Sequence, residues 1–274
     1  MGASISHPRT RDSSPIAARA AVEATAAAYD VLTADHDYEA WTALIASLAH
    51  RHGLPERGRL LDVGCGTGKS FLPWLARGWS VVGCDFSAAM LARARAKAPE
   101  VELLERDARA LGDLGRFELV LALDDVVNLL PAVDHPDLFG GVERNLAPCG
   151  LFVFDLNTLH TFRTAFATTH VAESDGCVVV WSGRAEATFG PGDAADAVME
   201  AFVRDDDDGR WRRRRGVHRE HHHPLGRVER ALGAAGLELV AAYGQDPACN
   251  VDPRPDELAH SKLLVIARRA RPRR

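Results

Sequence analysis

Short apolar runs alternate with helical patterns through the middle of the chain. Between residues 59 and 154 these runs read RLLDVG, SVVGCD, VELLERD, FELVLALD and LFVFDL. Segments with apolar residues at helical spacing lie between them, near 71–76, 88–98 and 137–146. Such short connections are typical of βαβ units, which build a parallel sheet with helices on both faces. The pattern therefore predicts a doubly wound α/β fold.

The pattern changes after Thr158. The strings VVVWSGRAEATF, AVMEAFVRD and GRWRRRRGVHREHHH predict three strands, separated by GPGDAADA and by the tight turn DDDDGR. A helix over 224–235, a strand over 237–243 and the strand KLLVIAR then resume the first pattern. We predict a mostly parallel seven-stranded sheet in a single domain of residues 16–274, interrupted by an antiparallel β insertion at 158–223.

The N-terminal region has two parts. Residues 1–15 are rich in Ser, Pro and Arg without a periodic apolar pattern, which predicts a disordered leader. Residues 16–52 contain two helical stretches, and the second has Trp41, Ile45 and Leu48 at helical spacing.

Composition and charge exclude several classes of protein. The 274 residues include 33 basic and 38 acidic side chains, so no basic excess indicates a nucleic-acid partner. No apolar run approaches the ~18 residues that would span a bilayer, and the N-terminus lacks the apolar core of a signal peptide. Five cysteines without close pairing are typical of a reducing compartment. We expect a cytoplasmic monomer or homodimer with no nucleic-acid or membrane partner.

A glycine-rich loop follows the first apolar run, in the string LLDVGCGTGKS, and its glycines are Gly64, Gly66 and Gly68. A doubly wound sheet binds its ligand at this place. A phosphate-binding P-loop would require glycine at position 63, which is Val63. A dinucleotide fingerprint would require glycine at position 69, which is Lys69. The remaining pattern is D-x-G-x-G-x-G, with Asp62 at the strand end.

This pattern resembles the class I S-adenosylmethionine-dependent methyltransferases of the small-molecule type. The motifs LLDVGCGTG, VVGCDFS, LLERDAR and FELVLALDDVVNLL carry the resemblance in that order, and it extends from about Tyr29 to the last strand. It implies an enzyme that moves a methyl group from S-adenosylmethionine to a nitrogen or oxygen of a small metabolite, as in natural product biosynthesis. S-adenosylhomocysteine is the implied product.

The resemblance also implies the cofactor site. In the family, the glycines let the backbone approach the methionine part, and Asp62 helps to hold its amino group. Asp85 would accept from the ribose hydroxyls and Phe86 would lie on the adenine. The segment 16–52 would fold over the cofactor as a helical lid. The implied cofactor-binding residues are Tyr29, Tyr38, Asp62, Gly64, Gly66, Gly68, Asp85, Phe86, Asp107, Ala108 and Leu123.

Catalytic and substrate residues carry weaker signals, because methyl transfer needs little beyond alignment, exclusion of water and a free lone pair. His36 is a candidate general base, since its unperturbed pKa lies near neutrality, although a surface or capping histidine has the same pattern. The predicted catalytic residues are His36, Asp125 and His222. The predicted substrate-binding residues are Trp41, Asp124, Asn128, Asn157 and His218, of which Asp124 and Asn128 could instead cap a helix or form a turn.

Strand alternation puts His218, Glu220 and His222 on one face of the inserted sheet. Two histidines and a carboxylate can ligate a metal, but the family core requires none, so we predict no metal site. A polar wall facing the substrate is the preferred interpretation, and a solvated face is the alternative.

Two function classes stay open at this stage. The insertion is predicted to roof the pocket of a small-molecule methyltransferase, and Asp124 and Asp125 favour a cationic amine as the methyl acceptor. The alternative is a protein with the methyltransferase fold that binds the cofactor but catalyses a non-methylating reaction or acts as a regulatory binding module.

Overall fold

The computed structural model describes residues 15–205 and 207–270. The predicted leader of residues 1–15 lies outside the described residues except for Pro15. The helices are α1 (Pro15–Leu32), α2 (Tyr38–His50), α3 (Leu72–Ala76), α4 (Ala88–Lys97), α5 (His135–Asn145), α6 (Leu159–Arg163) and α7 (Leu225–Ala234). The strands are β1 (Arg59–Val63), β2 (Ser80–Asp85), β3 (Glu102–Glu105), β4 (Phe117–Ala122), β5 (Leu146–Asn157), β6 (Thr169–Ser174), β7 (Cys177–Gly183), β8 (Ala194–Arg204), β9 (Trp211–His221), β10 (Leu237–Gln245), β11 (Val251–Asp252) and β12 (Lys262–Arg269).

The main sheet has the strand order β11-β10-β12-β5-β4-β1-β2-β3. Strands β3, β2, β1, β4 and β5 pair in parallel, whereas β12, β10 and β11 add in antiparallel fashion. This order confirms the predicted doubly wound, mostly parallel sheet. The eighth strand, β11, escaped prediction because two residues are too few to show a period.

Helices cover both faces of the main sheet, as alternate residues of β4 show. Leu119 and Leu121 pack in a core with α2, α3 and α4, while Val120 and Ala122 pack in a second core with α5 and α7. The carboxyl ends of the parallel strands therefore emerge together at one edge of the sheet, between two packed layers.

The insertion forms a separate four-stranded antiparallel sheet in the order β6-β7-β8-β9. The prediction of three strands was wrong, because it missed β6. That strand lies at the sheet edge and is exposed at nearly every position, so it lacks the alternation that marks a half-buried strand. Helix α1 packs across this sheet, and Gly216 permits the crossing, since a Cβ there would lie 2.7 Å from the carbonyl oxygen of Ala21.

Hydrogen bonds attach the end of β9 to the segment after β4. The Asn128 side-chain amide donates to the His221 carbonyl at 2.8 Å, and the Asn128 carbonyl accepts from the His221 amide at 2.7 Å. The His223 ring lies 2.9 Å from the Leu130 carbonyl. The insertion is thereby held against the carboxyl edge of the main sheet. Among the described helices, none is long and apolar enough to cross a membrane.

Candidate active site

The glycine-rich loop between β1 and α3 has the conformation that its glycines allow. Gly64, Gly66 and Gly68 have φ angles of 71°, 51° and 89°, in the left-handed region. A Cβ on Gly64 would lie 2.5 Å from the Val126 side chain, and one on Gly68 would lie 2.7 Å from the Phe71 ring. A Cβ on Gly66 would meet no atom within 4 Å. The middle of the loop therefore faces open space.

Asp62 lies at the end of β1, behind this loop. One carboxylate oxygen, Oδ2, accepts from the Ser70 hydroxyl at 2.5 Å. The other, Oδ1, is buried and has no hydrogen-bond partner among the described residues. Burial raises the pKa of Asp62 to about 7, although the Ser70 hydrogen bond opposes the shift. A buried acceptor of this kind suits a donor supplied by a ligand.

Asp85 ends β2 next to the loop. Its Oδ2 accepts from the Gly66 amide at 2.9 Å and its Oδ1 from the Ser87 amide at 2.8 Å. Burial raises the pKa of Asp85 to about 6 against the effect of these amides. Each oxygen still has a free lone pair, so the carboxylate can accept from a neighbouring diol. Phe86, the next residue, is partly exposed.

Asp107 follows β3 and is bound by a residue that the sequence did not indicate. The Arg109 guanidinium donates to Asp107 Oδ1 at 2.9 Å and to Oδ2 at 2.6 Å. This contact holds the pKa of Asp107 below its usual range. Ala108 begins a single 3-10 turn beside the pair.

Helix α1 crosses the carboxyl edge of β1, β2 and β3. Its Asp30 accepts from the Thr67 hydroxyl at 2.6 Å, and Lys69 donates to the Thr33 carbonyl at 2.7 Å. Glu23 accepts from the first two backbone amides of α4, at 2.8 and 3.1 Å. These contacts hold α1 over the glycine-rich loop and over the end of β2.

Three aromatic rings cluster where α1 meets α2. The His36 ring lies 4.4 Å from the Tyr38 ring and 4.8 Å from the Trp41 ring, centroid to centroid. Burial lowers the pKa of His36 against the influence of Asp124, and its Nε2 has no partner among the described residues. Burial, with Asp124 contributing, raises the pKa of Tyr29.

Two consecutive aspartates with left-handed backbone follow β4. After the buried Leu123, Asp124 and Asp125 have φ angles of 58° and 68°. Such a conformation costs about 1 to 3 kcal/mol per non-glycine residue, and it persists only where the surroundings hold it. The Tyr38 hydroxyl donates to Asp124 at 2.6 Å, and Lys262 forms an ion pair with Asp125. Helix α2 and strand β12 thus restrain one aspartate each.

Lys262 begins β12 and faces Asn157 of β5 in the register of the sheet. Its Nζ lies 2.5 Å from Asp155 Oδ2, in addition to its ion pair with Asp125. Burial raises the pKa of Asp155 to about 7, and Lys262 opposes this shift. The Lys262 Nζ also lies 5.9 Å from the centroid of the buried Trp41 ring.

The predicted substrate residues Asn128 and Asn157 lie together, but they differ in what they leave free. Asn128 is fully buried. Its Nδ2 donates to the His221 carbonyl, and its Oδ1 accepts from the Asn157 backbone amide. Asn157 Nδ2 donates to Glu220 at 2.8 Å, while Asn157 Oδ1 has no partner among the described residues. Burial raises the pKa of Glu220 well above its usual value. Asn128 therefore links β9 and β5 to the segment after β4, whereas Asn157 keeps its Oδ1 atom available as an acceptor.

The polar wall of His218, Glu220 and His222 stays a prediction, and the structure gives each of the three side chains a protein contact of its own. The His222 ring is buried, with Nδ1 accepting from the Gly192 amide at 3.2 Å and Nε2 lying 3.0 Å from Glu257. His218 lies apart from it, 3.4 Å from the Thr25 hydroxyl. The structure thus gives no support to His222 as a general base.

The described part of the chain contains no cluster of potential metal ligands. Within residues 15–205 and 207–270, no three histidine, cysteine, aspartate or glutamate side chains are placed to hold an ion.

Comparisons with known proteins place this geometry in a family. Residues 60–150 match the family model described as "Methyltransferase domain". A protein of Geobacillus sp. (strain WCH70), named simply as a methyltransferase, is 28% identical over 249 residues, which are 86% of this chain and 95% of that protein. The crystal structure of an S-adenosylmethionine-dependent methyltransferase from Clostridium acetobutylicum ATCC 824 matches with a TM-score of 0.73 and 21% identity, over 89% of this chain and 96% of that one. Residues 60–150 form a methyltransferase domain, and the protein is an S-adenosylmethionine-dependent methyltransferase enzyme.

One further relative of this methyltransferase has a name that states its substrate. The dTDP-3-amino-3,6-dideoxy-alpha-D-glucopyranose N,N-dimethyltransferase of Streptomyces fradiae is 28% identical over 213 residues, which are 74% of this chain and 78% of that protein.

S-adenosylmethionine is the cofactor of the methyltransferase, and the described residues fit it. The open space in front of Gly66 and the unpartnered Oδ1 of Asp62 are what an ammonium-bearing ligand at the loop requires. Asp85 and the partly exposed Phe86 follow at the next strand end.

Sequence reasoning did not select Lys262 for the site, although a signal was present. It is the charged residue that opens an otherwise apolar strand. Because β12 is antiparallel to β5, the start of β12 lies at the carboxyl edge of the parallel strands. Glu23 and Asp30 have no comparable local signal, since their partners lie on other elements. Arg109 lies only two positions from its partner Asp107.

Proposed function

We propose that this methyltransferase moves the methyl group of S-adenosylmethionine to an amine nitrogen of a small metabolite. The observation that carries the proposal is a group of four carboxyl side chains at the ends of β4, β5 and β9: Asp124, Asp125, Asp155 and Glu220. Lys262 pairs with only two of them. Asp124 bonds the Tyr38 hydroxyl and no cation among the described residues, so it can attract a cationic amine to the place where a class I methyltransferase faces its methyl acceptor.

The proposed cofactor contacts follow from the free atoms at the other strand ends. Asp62 Oδ1 accepts from the cofactor's ammonium group, and Asp85 accepts from its ribose hydroxyls. Phe86 packs on the adenine, while Asp107 and Ala108 lie at the adenine edge. Leu123 and the glycine-rich loop close the methionine side, with Tyr29 near the carboxylate.

The cofactor supplies a methyl group on a positively charged sulfur. For transfer, the amine must be uncharged, because its lone pair forms the new C–N bond while the C–S bond breaks. His36 is the proposed acceptor of the amine's proton, since burial lowers its pKa and leaves the imidazole neutral at pH 7. Its unpartnered Nε2 is the atom that can take this proton.

Two further observations support a small substrate with an amine. The Streptomyces fradiae relative is named for N,N-dimethylation of an amino sugar linked to a nucleotide. The insertion at 158–223 contributes Glu220 to the acidic group, and we propose that it roofs the substrate pocket while residues 16–52 form the lid over the cofactor.

The experiment supplies the protein with S-adenosylmethionine labelled in the methyl group and a panel of small amines, each with the matching alcohol. We expect release of S-adenosylhomocysteine and the label on nitrogen, located by NMR. Label found only on oxygen would contradict the proposed atom. Cofactor binding without any S-adenosylhomocysteine would favour the non-methylating alternative. Asp85→Ala serves as the variant with a weakened cofactor site.

A further inference from the structure

We propose that the substrate pocket contains a second subsite, formed by Asp155 and Asn157, which binds a hydrogen-bond donor of the substrate other than the methylated nitrogen. The proposal rests on the amine methylation proposed above and adds to it a requirement on the substrate. That requirement is a hydroxyl or a second N–H group close to the amine.

The placement of the two residues on β5 makes them a pair. They are two positions apart on one strand, so their side chains lie on the same face, with Cα atoms ~6.8 Å apart. Leu151 and Val153, the earlier residues on that face, pack in the core that includes Trp41. Asp155 and Asn157 therefore continue this face toward the lid, at the carboxyl edge where the acidic group lies.

Each of these side chains leaves one oxygen without a partner. Asp155 is 0% exposed and Asn157 is 3% exposed, and the Oδ1 atom of each has no hydrogen bond among the described residues. The other polar atom of each side chain is held, since Asp155 Oδ2 bonds Lys262 at 2.5 Å and Asn157 Nδ2 bonds Glu220 at 2.8 Å. Because the held atoms fix both side chains, the free oxygens have fixed directions.

The chemistry of the free atoms defines what can bind. Asn157 Oδ1 is an acceptor, Asp155 Oδ1 is an acceptor when the carboxyl is ionised above pH 7, and buried acceptors normally have a donor. A hydroxyl or an N–H group meets that need, whereas an ether oxygen cannot. The subsite adjoins the proposed position of the methylated amine, because the Asp125 backbone amide lies 3.4 Å from Asp155 Oδ2. A substrate that fills both places carries its donor within a few bonds of the amine.

The test uses two probes that differ in one hydrogen-bond donor. These are trans-2-aminocyclohexanol and trans-2-methoxycyclohexylamine, in which the hydroxyl has become an ether. Their dissociation constants are measured by calorimetry on the full chain saturated with S-adenosylhomocysteine. We expect the amino alcohol to bind about tenfold more tightly, which is the effect of one hydrogen bond to a buried acceptor.

Two variants at the subsite give different expected results. Asn157→Leu removes one acceptor, so the preference for the amino alcohol should fall to less than about threefold. In Asp155→Asn, the amide oxygen stays at Lys262, because lysine can only donate, and the new NH₂ group turns toward the subsite. A donor then replaces an acceptor, so the ether should gain affinity relative to its value in the wild type.

The control is Asn145→Leu, which changes a buried asparagine whose amide bonds the carbonyls of Gly112 and Gly141. It should keep the tenfold preference. Affinity for S-adenosylhomocysteine should stay within about twofold in all three variants that fold, because none of these residues contacts the glycine-rich loop.

Equal affinity of the two probes for the wild type, including no binding of either, would overturn the subsite. A preference that survives unchanged in both Asn157→Leu and Asp155→Asn would also overturn it and would assign the free oxygens to a buried water. The proposed function fails separately, by label on oxygen or by the absence of S-adenosylhomocysteine, and the probe preference would stand in that case.

Discussion

The carboxyl edge of the main sheet has two halves that are built differently. At the ends of β1 and β2, the hydrogen bonds of Asp62 and Asp85 reach residues at most 19 positions away, namely Ser70, Gly66 and Ser87. At the ends of β4, β5 and β12, the contacts span the chain, since Tyr38 bonds Asp124 across 86 positions and Lys262 bonds Asp125 across 137. The first half depends on the glycine-rich loop and the end of β2, whereas the second half forms only when α2, β4, β5 and β12 are assembled.

The two halves also differ in how they balance charge. Asp62 and Asp85 are buried beside hydroxyl and amide donors, and no cation within the described part of the chain bonds to either. In the second half, Asp125 and Asp155 share the Lys262 ammonium. Substitutions that remove one charge should therefore have large and different effects in the two halves.

The largest expected effect comes from Lys262→Met. It leaves the buried Asp155 without its cation, and breaking a buried pair in this way costs about 3 to 5 kcal/mol of unfolding free energy. Urea unfolding at pH 8 measures the loss. The destabilisation should shrink as the pH falls below 7, because Asp155 is then neutral in the folded protein with or without Lys262.

The matched control is Lys97→Met, since Lys97 pairs with Asp30 at 2.7 Å while both side chains are about 30% exposed. We expect a loss of about 1 kcal/mol or less. Equal losses in the two variants would show that the Lys262 cluster is no more than a surface ion pair.

A somewhat smaller effect is expected from Asp62→Asn, and it depends on pH. The pKa of Asp62 is about 7 in the folded protein because of burial, against ~3.9 for an unfolded chain. Between these values the folded protein keeps a proton that the unfolded chain has released, so the wild type loses stability as the pH rises. The asparagine variant should gain roughly 4 kcal/mol relative to the wild type between pH 4 and pH 8.

Asp30→Asn provides the opposite sign. Burial tends to raise the pKa of Asp30, but Lys97 and Thr67 outweigh it and lower the pKa. The stabilisation from Asp30 is therefore present above the unfolded pKa and is lost as the pH falls through the folded pKa. This variant should lose stability relative to the wild type as the pH rises through ~4. If the unfolding free energies of Asp62→Asn and Asp30→Asn, each relative to the wild type, changed in the same direction with pH, the proposed difference between the environments of Asp62 and Asp30 would be wrong.

The smallest expected effect comes from Tyr38→Phe, which removes the hydroxyl bonded to Asp124 but keeps the ring against His36 and Trp41. We expect a loss of about 1.5 kcal/mol, the lower range for a hydrogen bond to a charged group. Tyr243→Phe, which removes a bond to the neutral His52 ring, should cost less. The affinity of Tyr38→Phe for S-adenosylhomocysteine, measured by calorimetry, then shows to which half Tyr38 belongs. An affinity within twofold of the wild-type value would place Tyr38 with the substrate residues.

The sequence predicted the fold wherever a periodic pattern had a buried face. The helices near 71–76, 88–98 and 224–235 lie within two residues of their expected bounds. Strands β6 and β11 were missed, because one is exposed and the other has two residues. The alternation predicted at the end of β9 continues past its last residue, since the His221 and His223 rings stack while the His222 ring lies beside Phe162.

The candidate site was predictable only in its local half. Within each of the motifs LLDVGCGTG and VVGCDFS, the indicated residues are close together in the sequence and also in the structure. The pairs Tyr38–Asp124 and Asn157–Glu220 depend on how distant elements pack. No local pattern could have indicated them before the sheet order was known.

The separation of the two halves is tested most directly by the binding of S-adenosylhomocysteine to Asp85→Ala and Asn157→Leu, measured by calorimetry alongside the wild type. The account predicts a loss of about 1.5 to 3 kcal/mol in binding free energy for Asp85→Ala, which removes hydrogen bonds to a charged acceptor. It predicts a change of less than about 0.4 kcal/mol, or twofold, for Asn157→Leu. Unchanged affinity in Asp85→Ala, or an equal loss in both variants when both unfold cooperatively, would contradict the account.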